Sequence, residues 1–153
     1  MPSLHLAWTL LAWWYSRGLS WWERAIAFAF LAFTALATLG SGEHYFIDLI
    51  VAFPFALMME ALCEYSLSYK DPRRLGAFLF GVVVTLGWFA ALRYFGKFFW
   101  TSPLIPWSLA AATVALTILR HREFQRAVDS GQPIADPAPE MALAASEISA
   151  AGR

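Results

Sequence analysis

The sequence predicts an all-α fold, a polytopic membrane helix bundle of about five transmembrane helices. Three observations carry that prediction. Of 153 residues, 14% are charged and 59% hydrophobic, and mean hydropathy is +0.54, whereas a water-soluble domain carries about 25% charged residues. The deficit is concentrated, because residues 25–119 contain long stretches almost free of charge. Trp13, Trp14, Trp21, Trp22, Trp100 and Trp107 fall near the ends of those stretches, where an interfacial aromatic belt would put them.

Five apolar segments follow one another. The first, Leu4–Tyr15, is short for a bilayer that needs about 20 residues, although Arg17 just beyond it can snorkel. The second is Arg24–Leu39, closed by the Gly-Ser-Gly turn at 40–42. The third, His44–Cys63, carries Pro54 at mid-span, which predicts a kink. Glu60 in the same segment should face protein or water rather than lipid, with a packing role. The fourth is Leu75–Phe95. The fifth is Phe98–Leu119, with its regular helix expected to begin near Pro106, a residue suited to a first turn. Cys63 is the sole cysteine, which excludes a disulfide framework and a cysteine metal site. No cleavable signal is evident, since the first basic residue follows the first apolar run.

The cations divide between alternate loops. Arg17, Arg24, Lys70, Arg73, Arg74, Arg120, Arg122, Arg126 and Arg153 fall on one face, and Arg93 and Lys97 on the other. The positive-inside rule makes the first face cytoplasmic and puts the N-terminus outside. Residues 120–126 are expected to extend as a short helix beyond the membrane, with His121 solvated between Arg120 and Arg122. From Asp129 onward Ser, Gly, Pro, Ala and Glu dominate, the composition of a disordered tail. The chain thus divides into 1–64, which carries the candidate site, 65–119 with two further spans, and a cytoplasmic tail over 120–153.

Ionisable groups at the mouth of a membrane helix are functional-site candidates by default. His44 and Asp48 stand four residues apart, on one helix face. His5 opens the first span, and one helical hairpin separates it from His44, so both histidines reach the same side at the same depth. Both sit at helix N-termini, where free N–H groups and the helix dipole favour an anion such as a lipid phosphate. Asp48 can accept a hydrogen bond from His44, fixing its tautomer and raising the basicity of the other nitrogen. That nitrogen can attack phosphorus, and His5 can protonate the departing alkoxide and then activate water or an alcohol. Ser3 could donate to a phosphoryl oxygen. Two other readings stay open: a structural His–Asp pair, and a metal site from His5, His44, Asp48 and Glu43 that has suitable ligand types but no supporting outer shell.

Two motifs in residues 1–63 resemble the type 2 phosphatidic acid phosphatase superfamily, and within it the inositol phosphorylceramide synthase and inositolphosphotransferase branch. Pro2-Ser3-Leu4-His5 resembles its Pro-Ser-x-His motif, and Ser41-Gly42-Glu43-His44-Tyr45-Phe46-Ile47-Asp48 its following motif. The resemblance implies His44 as nucleophile, Asp48 as its orienting carboxylate and His5 as general acid, with Ser3 and Ser41 at the phosphate. It implies lipid phosphates or phosphodiesters as substrates, no metal or organic cofactor, and no nucleic-acid partner. The site would lie on the extracytoplasmic side of the cell membrane, and the first three spans would be the last three of a six-helix core.

Two departures stand out. The family's Lys and Arg-Pro motif is absent, and Gly42 stands where sphingolipid synthases carry arginine. Such cations neutralise the phosphoryl oxyanion. Amino-terminal truncation is therefore expected, and an upstream in-frame stretch encoding more spans would bear it out. A lipid-phosphate phosphatase or head-group transferase and a non-catalytic member of the same family both remain open.

Overall fold

The computed structural model describes residues 2–40, 46–99, 102 and 104–130. Its elements are helices α1 (Leu4–Tyr15), α2 (Trp21–Gly40), α3 (Phe46–Cys63), α4 (Pro72–Tyr94), α5 (Gly96–Phe99) and α6 (Leu104–Ser130), with a 3₁₀ turn at Ser16–Gly18. No strand occurs among the described residues. Among the described residues four helices, α2, α3, α4 and α6, are long and apolar enough to cross a membrane. At 12 residues α1 rises about 18 Å, short of a hydrocarbon core about 30 Å thick. The bundle is all-α with about five principal helices, as the composition predicts.

Helix α3 is the hub, packing against α1, α4 and α6, while α2 packs on α1 at the periphery. Its Ala52, Ala56 and Ala61 are fully buried, and small side chains let neighbouring backbones approach closely. The helix continues through the buried Pro54. A Cβ on Gly81 of α4 would lie 2.6 Å from the Pro54 carbonyl oxygen and 2.9 Å from the Met58 nitrogen. Only a glycine permits that approach of α4 to α3.

Several polar groups between the helices are paired. Trp88 Nε1–H donates to Thr113 Oγ1 at 3.1 Å, joining α4 to α6. The hydroxyls of Thr113 and Thr117 donate back to the carbonyls of Leu109 and Thr113, the usual resource of such residues inside a helix. Arg74 is buried and closes the end of α3: Nε donates to the Ala61 carbonyl (2.8 Å), Nη2 to Leu62 (2.9 Å) and Nη1 to Leu67 (2.6 Å). These carbonyls include ones that a helix C-terminus leaves without intrahelical partners.

Helix boundaries follow local chemistry. Ser3 caps α1, and Asp71 caps α4, with Pro72 in the first position. Helix α6 begins near Pro106 as expected and departs from expectation at its far end. It starts at Leu104, just before Pro106, and runs without interruption to Ser130. The stretch 120–126 is thus the continuation of the fifth span. The remaining tail, 131–153, lies outside the described residues.

Candidate active site

Chain direction sorts the helix ends into two groups. The starts of α1, α3 and α6 and the end of α4 share one end. There Ser3 meets Asp48, Phe46 lies 5.1 Å from Trp107 (ring centroids), and Ile50, Val51, Trp88 and Ala110 form a buried cluster. The end of α1, the α3–α4 turn and the last turns of α6 share the other. Arg17, Arg24, Lys70, Arg73, Arg74, Arg120, Arg122 and Arg126 all belong to this second end.

The candidate site belongs to the first end. The Ser3 N–H donates to the Asp48 carbonyl at 3.0 Å, tying the start of α1 to the first turn of α3. Ser3 Oγ accepts from the Leu6 N–H at 3.4 Å and so caps α1, with the side chain fully buried. Local sequence accounts for the arrangement. Pro2 cannot donate to the first helical turn, and Ser3 takes extended backbone angles (φ −69°, ψ 106°) as an N-cap does. Leu6, Ala7, Leu10 and Trp14 then recur at helical spacing and bury against α3.

Asp48 is 5% exposed, in the first turn of α3, where a carboxylate suits the positive end of the helix dipole. His5 lies on the opposite side of the first turn of α1 from the buried stripe, and its ring is exposed. Its carbonyl accepts from Thr9 Oγ1 at 3.2 Å. His44, Ser41 and Glu43 lie outside the described residues, so the His44–Asp48 pairing is a sequence expectation. Of the predicted site residues, Ser3 and Asp48 are brought into direct backbone contact, with Ser3 two residues before His5 in the chain. Among the described residues no group of three or more His, Cys, Asp or Glu could hold a metal.

Residues 1–62 match the sequence model of the PAP2 superfamily. The match covers α1, α2 and α3 almost to its end, the segment that carries both motifs. It supports a resemblance to phosphatase-type membrane proteins at the level of the superfamily. No curated protein and no solved structure matches the chain.

The second end of the bundle holds a polar cluster that corrects one expectation. His121 is not solvated between its arginine neighbours: it is 5% exposed, with its ring stacked on Trp14 at 3.8 Å between centroids. Its Nε2 lies 3.2 Å and 3.3 Å from the two Glu60 carboxylate oxygens and 2.9 Å from Arg17 Nη2. Gln125, one turn on, donates to the same carboxylate. Glu60 is 1% exposed and faces protein, as its place inside a span requires. Continuous helix is the physical reason for the correction: Ala110, Thr113, Thr117, His121, Phe124 and Ala127 form one buried stripe at spacings of three and four. A stripe followed past Leu119 is the signal that finds His121.

Proposed function

We propose that this chain carries out, or forms the histidine-bearing part of, phosphoryl transfer on a lipid phosphate or phosphodiester. The reaction runs through a phosphohistidine at His44. The supporting observation is the Ser3 N–H to Asp48 carbonyl bond, which couples the His5 segment to the first turn of α3 within the stretch that matches the PAP2 superfamily.

In this reading Asp48 holds His44 in one tautomer. The free imidazole nitrogen attacks phosphorus: a P–N bond forms, the P–O bond to the leaving alcohol breaks, and His5 protonates the departing oxygen. In the second half His5 takes a proton from water or an acceptor alcohol as that oxygen attacks phosphorus. The P–N bond breaks, releasing phosphate or a new phosphodiester. Exposure of the His5 ring leaves it open to such a substrate. Ser3, fully buried and engaged as the cap of α1, positions the helix start that carries His5, and Ser41 is the hydroxyl this reading assigns to the phosphoryl group. Clustering of eight cations at the other end supports a cytoplasmic face there, with the site extracytoplasmic in the cell membrane and the C-terminus inside. An inositolphosphotransferase is the finer form of this proposal and rests on the Ser-Gly-x-His-Tyr pattern at 41–45.

A non-catalytic member of the family is the second reading, favoured by Gly42 where sphingolipid synthases carry arginine. The test is release of phosphate from a lipid phosphate in detergent micelles, and exchange of the head group with added alcohol, for the wild type and His44→Ala. The enzyme reading expects wild-type turnover and background rates in the variant. Equal rates in the two chains would refute it.

A further inference from the structure

The arginine-rich end of the bundle contains a cavity of about 280 Å³ between the end of α1, the start of α2 and α6. Arg17, Arg24, Arg122 and His121 line it, with Trp13 and Trp14 on its wall. Among the described residues none of the three arginines forms an ion pair with an acidic side chain. The Glu60 carboxylate, which touches the cavity residue His121, is occupied by His121 and Gln125. Three guanidinium groups of like charge are therefore gathered around one cavity without an ion-pair partner among the described residues. We propose that this cavity binds a phosphate group, as the head group of an anionic phospholipid or as a free phosphate anion.

The chemistry of the lining selects that class. Guanidinium forks match phosphate oxygens in pairs, and three of them around one cavity suit a tetrahedral anion with several oxygens. His121 is fixed at the back of the cavity by its stacking on Trp14 and its contact with Glu60. A cavity of 280 Å³ holds a phosphate and the first few atoms attached to it, but not acyl chains. Those chains have an apolar surface beside it. Trp13 lies 6.0 Å from Phe28 between ring centroids, and α2 exposes Ile26, Phe28, Phe30 and Phe33 along its length. Basic groups at the end of a membrane helix are the usual setting for anionic head groups. The neighbouring, larger groove of about 660 Å³ is also basic, with Arg73, Arg120 and Arg126, but there Arg120 is paired with Glu123 at 3.0 Å. That groove serves as the control.

This site is at the opposite end of the bundle from the Ser3–Asp48 contact and does not depend on the proposed enzyme activity. The test is native mass spectrometry of the full chain released from micelles containing phosphatidylglycerol or phosphatidylcholine, with and without millimolar inorganic phosphate. The double variant Arg24→Gln with Arg122→Gln removes two cavity arginines whose side chains make no hydrogen bond among the described residues. Its affinity for phosphatidylglycerol should fall about 30-fold, about fivefold per arginine. Arg73→Gln with Arg126→Gln should bind as the wild type does. Binding that inorganic phosphate leaves intact identifies the lipid head group. Competition by inorganic phosphate that depends on Arg24 and Arg122 identifies the free anion. Equal losses in the two double variants would show diffuse surface charge and overturn the proposal. So would a wild type that prefers neither phosphatidylglycerol to phosphatidylcholine nor phosphate to chloride.

Discussion

Replacing Gly81 with alanine adds one methyl group at the closest approach of α4 to α3. Its Cβ would lie 2.6 Å from the Pro54 oxygen, 2.7 Å from Met58 Cβ and 2.9 Å from Met58 N. Ordinary carbon contacts are about 3.5–4.0 Å, so the helices must part by about 1 Å at the crossing. Two of the three obstructing atoms are backbone, which cannot rotate aside. Overpacking of this kind costs about 1–3 kcal/mol, offset by about 1 kcal/mol of helix propensity gained over glycine, for a net loss of up to about 2 kcal/mol. Gly76 and Gly87 of the same helix have nothing within 4 Å of a new Cβ. There the propensity gain stands alone, and alanine should be neutral or stabilising by up to about 1 kcal/mol. Reversible unfolding in mixed micelles, followed by tryptophan fluorescence and helical circular dichroism, measures all three variants. A Gly81→Ala chain as stable as Gly87→Ala would refute the packing argument.

Further outcomes are expected elsewhere in the bundle. Arg74→Lys cannot reproduce three fork-shaped bonds to carbonyls and should lose about 2–4 kcal/mol in the same unfolding assay. His121→Ala leaves the buried Glu60 carboxylate with Gln125 alone, a loss of up to about 3–5 kcal/mol, whereas adding Glu60→Leu should recover much of it. If Asp48 orients the nucleophile, Asp48→Asn should reduce turnover about 10⁴-fold while helical content is unchanged, by analogy with other histidine-orienting carboxylates. His5→Gln should reduce it about 10²–10⁴-fold, the range for loss of a general acid.

Much of the fold is legible in the sequence because a membrane bundle is written in runs. The bounds of the first segment, Leu4–Tyr15, coincide with α1, since Ser3 caps one end and Ser16–Gly18 tightens the other. Glu60 is legible as a buried group from its place in an apolar helix. The reading fails where composition and periodicity disagree. At Arg120 the composition turns polar, which suggests solvent, while the spacing of buried residues continues through His121 to Ala127. Periodicity prevails because α6 lies against α3, where the bundle supplies both Glu60 and Trp14 as partners. Such partners, 61 and 107 residues away in the chain, leave no local trace. The site is legible as chemistry, through Pro2-Ser3-Leu4-His5 and His44–Asp48. The Ser3–Asp48 backbone bond is not, because its donor and acceptor are groups every residue carries.

The most direct test of the phosphohistidine reading is to trap the intermediate. The full chain is mixed with a lipid phosphate carrying radiolabelled phosphorus and quenched in alkali, under which phosphohistidine survives and acyl phosphates do not. Label should remain on the wild-type chain, persist or accumulate in His5→Gln, and vanish in His44→Ala. Label that His44→Ala retains, or a wild-type chain that never acquires it, would contradict the account.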